Sequence, residues 1–455
     1  MSKKPLLLFP IEIKAREFSA RLFLAGLAVK AGYTVMIGRS KPLHRTLFKF
    51  PRGILVENDA TPRSAQFFKK AQKMGYKIVA WDEESLVTLT DAIYAQLRVC
   101  PETLDLIEYF FCRGEGDKKA VDHAYPGHSE KLIAAGNPRL DILQPQWTGE
   151  IEDNKNRPIT LLINSRFSIV NPYYISREKA FENVFKKFGI ARDSDTGQHI
   201  DGWLSHAHKM FIAFAELTEK IAKAYPHYRI IIRPHPSENH GFWGNLAAKY
   251  DNCECLYEGA ASDWFLRADC LIHNSCTTAI EAGLSGLPSY VYLPAGDNLY
   301  DAALPNSVSH KHYDSESLIS ALANVQKLSQ PIREDYSLRT RGALKEHISN
   351  VEKVGSSAVI LNHIQKIDWQ KSRASYYIWR LYDAFRTTLS HTKNRLIDAV
   401  KKGKKLQEAR KGYANQKYPG VTEQEIENLL RKFGYDDFAI HESKHEWFVI
   451  TPKQH

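Results

Sequence analysis

The 455 residues carry 43% hydrophobic side chains, 22 tyrosines and a net charge of +10, which excludes a disordered chain and, at this length, a single small core. No apolar run approaches the ~18 residues that a bilayer-spanning helix needs. The excess charge is local: residues 366–417 hold fourteen Lys/Arg against four Asp/Glu, so the rest of the chain is formally neutral and is not expected to bind a polyanion.

In chain order, KPLLLFPIEIKAREFSARLFLAGLAVKAGYTVMIG reads as strand, loop, helix and second strand. Phe18, Leu22, Leu24, Leu27 and Val29 recur at roughly helical spacing, Gly32 stops the helix, and TVMIG re-enters a sheet. This is a βαβ unit of doubly wound type, and without GxGxxG it is not read as a dinucleotide site. The leading apolar stretch is too short, and too soon followed by charge, for a secretory signal. Strands are expected at Gly53–Glu57 and Lys77–Trp81, separated by the helix-like SAQFFKKAQKMG. Asp82, Glu83 and Glu84 then stand at a strand's carboxyl end, either as a solvated loop or as an acceptor-binding, acid–base group. A further strand in LIEYFFCRGEGD leads to Glu115, and GNPRLD turns the chain near the end of a first domain, 1–150.

QWTGEIEDNKNRP is polar and rich in breakers, as a linker is. ITLLINSRFSIVN opens a second domain, 151–365, with a strand ending at Asn164 and with Arg166 and Asn171 in the polar loop after it. Residues 179–201 show little pattern. A strong helix follows in WLSHAHKMFIAFAELTEKIAKAY, for which Asp201 is the natural N-cap, while His206 and His208 read as ordinary polar residues.

Two stretches then stand out. RIIIRPHP is an apolar run ending at Arg233, Pro234, His235 and Pro236. The prolines fix the backbone around the imidazole, and Arg233 adds a planar, permanent cation. CLIHNSCTTAIEAGLSGLPSYVYL reads as strand, hydroxyl-rich turn, helix and strand. Ser275, Thr277 and Thr278 at a helix start offer donors suited to phosphate; Thr278-x-x-Glu281 is equally a capping box that needs no ligand. DNLYDAALPNSVSHKH reads as a polar loop. The six cysteines lack the spacing of a zinc site, so no metal is expected, and they read as reduced packing residues of a cytoplasmic protein.

The tail, 366–455, differs in kind. Aromatics stand at Tyr376, Tyr377, Trp379, Tyr382 and Phe385, with basics at Arg380, Arg386, Lys393 and Arg395. Either the aromatics pack on the body and the basic face is solvated, or residues 366–417 meet an anionic membrane at the inner face. No RNA or DNA module is present, so nucleic acid is not an expected partner. KYPGVTEQEIENLLRKFGYDDFAIHESKHEWFVITP closes as a small helix and a two-stranded hairpin.

The pair RPHP and HNSCTTAIEAG resembles the nucleotide-binding half of bacterial surface-polysaccharide glycosyltransferases of the GT-B type, which include sialyltransferases and Kdo transferases using CMP-activated sugars. IEIKAREFSARLFLA, WDEESL, CRGEGD and GNPRLDIL resemble the N-terminal region of surface carbohydrate biosynthesis proteins, a group that includes retaining β-Kdo transferases of capsule and lipopolysaccharide synthesis. The resemblance implies an α/β GT-B fold: two Rossmann-like domains facing a central cleft, here with a basic helical C-terminal extension. It implies that ISNVEKVGSSAVILNHIQKI crosses back to the first domain. It places His235, Arg233, Ser275, Thr277 and Thr278 near the nucleotide phosphate and Glu281 at the ribose. It makes Asp201 a nucleophile, giving retention through a glycosyl-enzyme.

The expected activity is therefore transfer of a sugar, Kdo or a related 3-deoxy-ulosonic acid, from a CMP-sugar to a glycan or glycolipid acceptor. No cofactor is implied beyond the CMP-sugar substrate. Glu83, Glu84 or Glu115 would take the acceptor proton, and Asn164, Arg166 and Asn171 would meet sugar or acceptor. The alternatives are another nucleotide sugar or CDP-polyol donor, a sugar-nucleotide epimerase, and a non-catalytic scaffold of an assembly complex.

Overall fold

A computed structural model describes residues 4–87, 94–95, 98–143, 147, 157–188, 190–296, 300–352, 355–370, 376–385, 404–442 and 446–453. Most of the expected linker, and the expected basic residues Arg386, Lys393 and Arg395 of the tail, lie outside the described residues. The chain divides into two compact units, one of Met1–Ser85, Thr90–Ile142 and Lys345–His455, the other of Leu86–Leu89 and Leu143–Leu344. Each is an α/β unit on a parallel, Rossmann-like sheet. No described helix is long and apolar enough to cross a membrane.

In the first unit, β1 (Leu6–Ile11), β2 (Thr34–Arg39), β3 (Gly53–Glu57), β4 (Lys77–Trp81), β5 (Tyr109–Cys112) and β6 (Leu132–Ala134) pair in the order β2-β1-β3-β4-β5-β6, all parallel. β1 is buried along its whole length, as a central strand covered on both faces must be. The helix Lys14–Lys30 turns Phe18, Leu22, Leu24 and Val29 onto one face of this sheet. Continuous apolar runs bounded by polar turns account for β3 and β4, which fall at the expected residues.

The second unit sets β7 (Thr160–Asn164), β8 (Arg229–Arg233), β9 (Cys253–Cys255), β10 (Cys270–His273), β11 (Ser289–Tyr292) and β12 (His310–His312) in the order β12-β11-β10-β7-β8-β9. All are parallel. Renumbered within the unit, this is 6-5-4-1-2-3, the doubly wound order whose connections diverge between its first and fourth strands, β7 and β10.

Two expectations change. The helix Gln330–Leu344 packs on Thr278–Leu284, with Ser337 Oγ donating to the Leu284 carbonyl at 2.7 Å, so it closes the second unit. The next helix, Ser356–Ile364, lies within the stretch expected to cross back: it buries Ile360, Leu361 and Ile364 in the core of the first unit, and the Asp141 carboxylate accepts from Ser357 N at 2.7 Å. The return to the first unit thus falls near residue 344, not 365. Nor is 366–455 a separate element. The hairpin β13 (Phe438–Glu442) and β14 (Trp447–Pro452) joins the first sheet, β14 running antiparallel to β2. Gly38 permits that approach: a Cβ there would sit 2.5 Å from the Glu446 carbonyl oxygen.

Candidate functional site

The two stretches singled out by sequence leave the same edge of the second sheet. Asn164, the last residue of β7, pairs with Arg233 on one side and His273 on the other. With strands ~4.8 Å apart, the loops after β8 and β10 start roughly 10 Å from each other, flanking the loop after β7. Ligands of doubly wound sheets bind at such a carboxyl edge, where the connections diverge.

The β7 loop ties the two together. Arg166 donates to the Ser275 carbonyl at 2.7 Å. On the other side lies Glu238, fully buried, whose Oε1 accepts from Ser165 Oγ and Phe167 N at 2.8 Å each and from His235 N at 3.3 Å. Its Oε2 accepts from Trp243 Nε1 at 2.8 Å and Asn171 Nδ2 at 3.3 Å. One carboxylate therefore fixes the RPHP turn against the β7 loop. His235 Nδ1 accepts from Ser237 N at 3.1 Å, so a neutral ring carries its hydrogen on Nε2.

The hydroxyl-rich turn is held as firmly. Ser275 adopts a left-handed φ of 52°, which costs a non-glycine residue and needs support from its surroundings. Two groups supply it. His273, buried, accepts from Cys276 N at 3.2 Å through Nδ1, and its Nε2 meets Ser309 Oγ at 2.9 Å. Burial, and secondarily the Arg166 charge, push the His273 pKa down to about 3. Ser275 Oγ donates to Asp301 at 3.2 Å and accepts from Asn306 Nδ2 at 3.0 Å, and Asp301 pairs with His206 at 3.1 Å. Gly202 leaves room for the Tyr300 hydroxyl beside this pair, since an added Cβ would overlap it.

What remains is a set of buried polar atoms. Asn164 Oδ1, Asn274 Oδ1, Thr278 Oγ1, Asp301 Oδ2 and Asn306 Oδ1 have no hydrogen-bond partner among the described residues. Four of the five can only accept.

The expected site residues divide accordingly. His235, Arg166, Asn164, Ser275, Thr277 and Thr278 belong to the linked loops at this edge. Arg233 does not present its charge there: it is buried and donates to the carbonyls of Glu258, Gly259 and Ala260 at 3.1–3.2 Å, bracing the loop after β9. Asn171 is likewise used in fixing Glu238. The capping box is not formed: Thr277 is the N-cap, without a side-chain cap bond, and Glu281 is buried in the short helix Thr278–Leu284. Nor is Asp201 an N-cap. The helix begins at Asp195, capped by Ser194 Oγ accepting from Gly197 N at 3.1 Å. His199, Gly202 and His206 share the helix face toward Tyr300, and at ~100° per residue Asp201 points roughly 130° away from it.

In the first unit, Asp82 and Glu83 are buried, not a solvated loop. Asp82 pairs with Arg98, and Glu83 accepts from Trp81 Nε1 at 2.8 Å and lies 3.5 Å from Arg21. Glu84 is about half exposed, paired with Arg98 at 3.0 Å, and Glu115 is exposed at the start of a helix. Sequence reading missed Glu238, Asp301, Asn306 and His206. Only Glu238 had a local signal, an acid three residues after His235 in a proline-bounded turn.

Two units on Rossmann-like sheets, the second with polar loops linked at its carboxyl edge, define a doubly wound α/β protein. No family model and no curated protein matches the chain. Among solved structures it is similar to the wall teichoic acid polymerase TagF (13% identity, 81% of this chain and 89% of that chain, TM-score 0.47). It is also similar to UDP-GlcNAc 2-epimerase from Neisseria meningitidis bound to UDP-GlcNAc (14%, 80% and 100%, TM-score 0.45). A further UDP-N-acetylglucosamine 2-epimerase is 12% identical over 82% and 100%, with a TM-score of 0.47. At such identities the likeness concerns fold alone, and no functional inference rests on it.

Proposed function

We propose that the chain is a glycosyltransferase of bacterial surface-polysaccharide synthesis that takes its sugar from a nucleotide-sugar donor bound at the carboxyl edge of the second sheet. The donor best matching the resemblance of RPHP and HNSCTTAIEAG is a CMP-linked 3-deoxy-ulosonic acid such as Kdo, the acceptor a glycan or glycolipid. The observation that carries the reading is the hydrogen-bonded union of the two motif loops through Arg166 and Glu238, beside buried acceptors without partners. His235 Nε2–H and the Arg166 guanidinium would stabilise the departing phosphate without a metal, and the orphan acceptors would take donor hydroxyls.

In the retaining form of this chemistry the bond from the anomeric carbon to the CMP phosphate oxygen breaks as a carboxylate bonds to that carbon, and Asp201 can be that carboxylate only if the sugar lies on the helix face turned away from Tyr300. The acceptor hydroxyl then displaces the carboxylate and loses its proton to a base. Of the acids expected to supply that base, Glu83 is the least suited, since its carboxylate is already buried against Arg21 and Trp81.

Incubating the protein with a panel of CMP- and UDP-sugars, with and without glycan acceptor, tests the proposal through nucleotide release. His235→Ala should lower release about 10²–10³-fold; activity within a few-fold of the parent would exclude this site. Asp201→Asn should abolish the sugar-sized mass adduct formed with donor alone. An inverted product would remove Asp201 as nucleophile while leaving the donor site standing.

A further inference from the structure

Of the eleven exposed large apolar side chains among the described residues, five fall within nine positions: Tyr377, Ile378, Leu381, Tyr382 and Phe385, from 53% exposed for Tyr382 to 73% for Leu381. They lie on the helical stretch 376–385 at i, i+1, i+4, i+5 and i+8, one continuous stripe. The opposite stripe is fastened to the first unit. Tyr376 and Asp383 are buried, Arg380 donates to the Phe48 carbonyl at 2.9 Å, and Lys70 pairs with Asp383 at 2.8 Å. Arg52 lies 4.6 Å over the Tyr376 ring and Lys73 lies 4.2 Å over Trp379. Held this way, the helix cannot roll its apolar stripe inward.

Of the cations beside this helix, Lys49 and Lys73 are exposed, while Lys70 and Arg380 are engaged with Asp383 and the Phe48 carbonyl. The one acid of the described helix, Asp383, is already engaged by Lys70. This sign selects among occupants. A second copy meeting the same face would bring identical cations against these. Residues 386–403 of this chain carry Arg386, Lys393, Arg395, Lys401 and Lys402 against Asp398, again the wrong sign. An occupant must be apolar in the middle and anionic at the rim.

We propose that this face docks on the surface of an anionic lipid bilayer, with Ile378, Leu381 and Phe385 entering the headgroup–acyl boundary, Tyr377 and Tyr382 at headgroup depth, and the rim cations against lipid phosphates. It anchors the first unit at the membrane plane. The proposal is independent of the catalytic reading, and either can fail without the other.

The test is co-sedimentation of the full chain with vesicles of phosphatidylcholine alone or containing phosphatidylglycerol. Binding is expected only with the anionic lipid and should weaken at least tenfold when salt is raised. The double variant Ile378→Glu/Leu381→Glu, on an outward stripe that contributes nothing to the core, should keep its circular dichroism and lose binding at least tenfold. Lys49→Glu should weaken binding while leaving the apolar stripe and its fastening intact. Equal binding to both vesicles, no binding to either, or unchanged binding by both variants would overturn the proposal. So would a concentration-dependent dimer that Ile378→Glu/Leu381→Glu dissolves without any vesicle binding, or retention on an acidic polymer alone.

Discussion

Glu238 and His273 show how much of a binding edge is built by groups that need never touch a ligand. Five donors converge on the Glu238 carboxylate. Glu238→Ala should therefore cost about 3 kcal/mol or more in urea unfolding, because it strands those donors without water; Glu238→Gln, which keeps an acceptor, should cost less. His273 makes a pH prediction. Its pKa is held at about 3 in the folded chain by burial, against ~6.5 when unfolded. Between those values only the unfolded chain binds the proton, so stability is full above pH 6.5 and falls on acidification, by up to ~1.4 kcal/mol per pH unit. His208, His240, His310 and His312 are also shifted downward, chiefly by burial, and add to the slope. Unfolding measured from pH 7 to pH 5 should show a shallower slope for His273→Asn than for the parent. At this scale the sequence displays candidates more readily than their supports: His235 announces itself between two prolines, whereas Asp301 and Asn306 reach Ser275 only through the fold.

Among elements, those specified by local pattern were legible and those specified by distant partners were not. Gly53–Glu57 and Lys77–Trp81 are apolar runs that need only a sheet to enter, and they are strands over those residues. The start of the helix at Asp195 escaped because its first turns, DTGQHID, carry no apolar period, and its cap at Ser194 is a single hydroxyl. The closing hairpin was recognisable as a hairpin, but its place on β2 depends on a pairing more than 400 positions away in the chain, which no local spacing encodes. Trp447 is the buried anchor of that pairing, with its ring edge-on to Phe50 at 4.5 Å. Trp447→Ala should lower the stability of the first unit by about 3–5 kcal/mol, measured by urea denaturation, and near-ultraviolet dichroism should report the loss of fixed aromatic packing.

At the level of the whole molecule, one unit is written almost continuously and the other in separated pieces. Leu143–Leu344 contains every strand of the second sheet, and expressed alone it should unfold cooperatively in urea with the dichroism of a folded α/β protein. The fragment 1–142 lacks the Ser356–Ile364 helix and both hairpin strands and should not; a cooperative transition for it would show that those returning pieces are dispensable. Such interleaving has a consequence for synthesis on the ribosome. β2 emerges early, yet β14 follows it roughly 400 residues later, on the order of 20–80 s at ~5–20 residues per second. Through that interval the nascent first sheet offers its β2 edge, rich in unpaired N–H and C=O groups, to any other strand nearby. Yield at high expression should therefore depend on how fast translation reaches the final hairpin and on whether a chaperone shields that edge until it does.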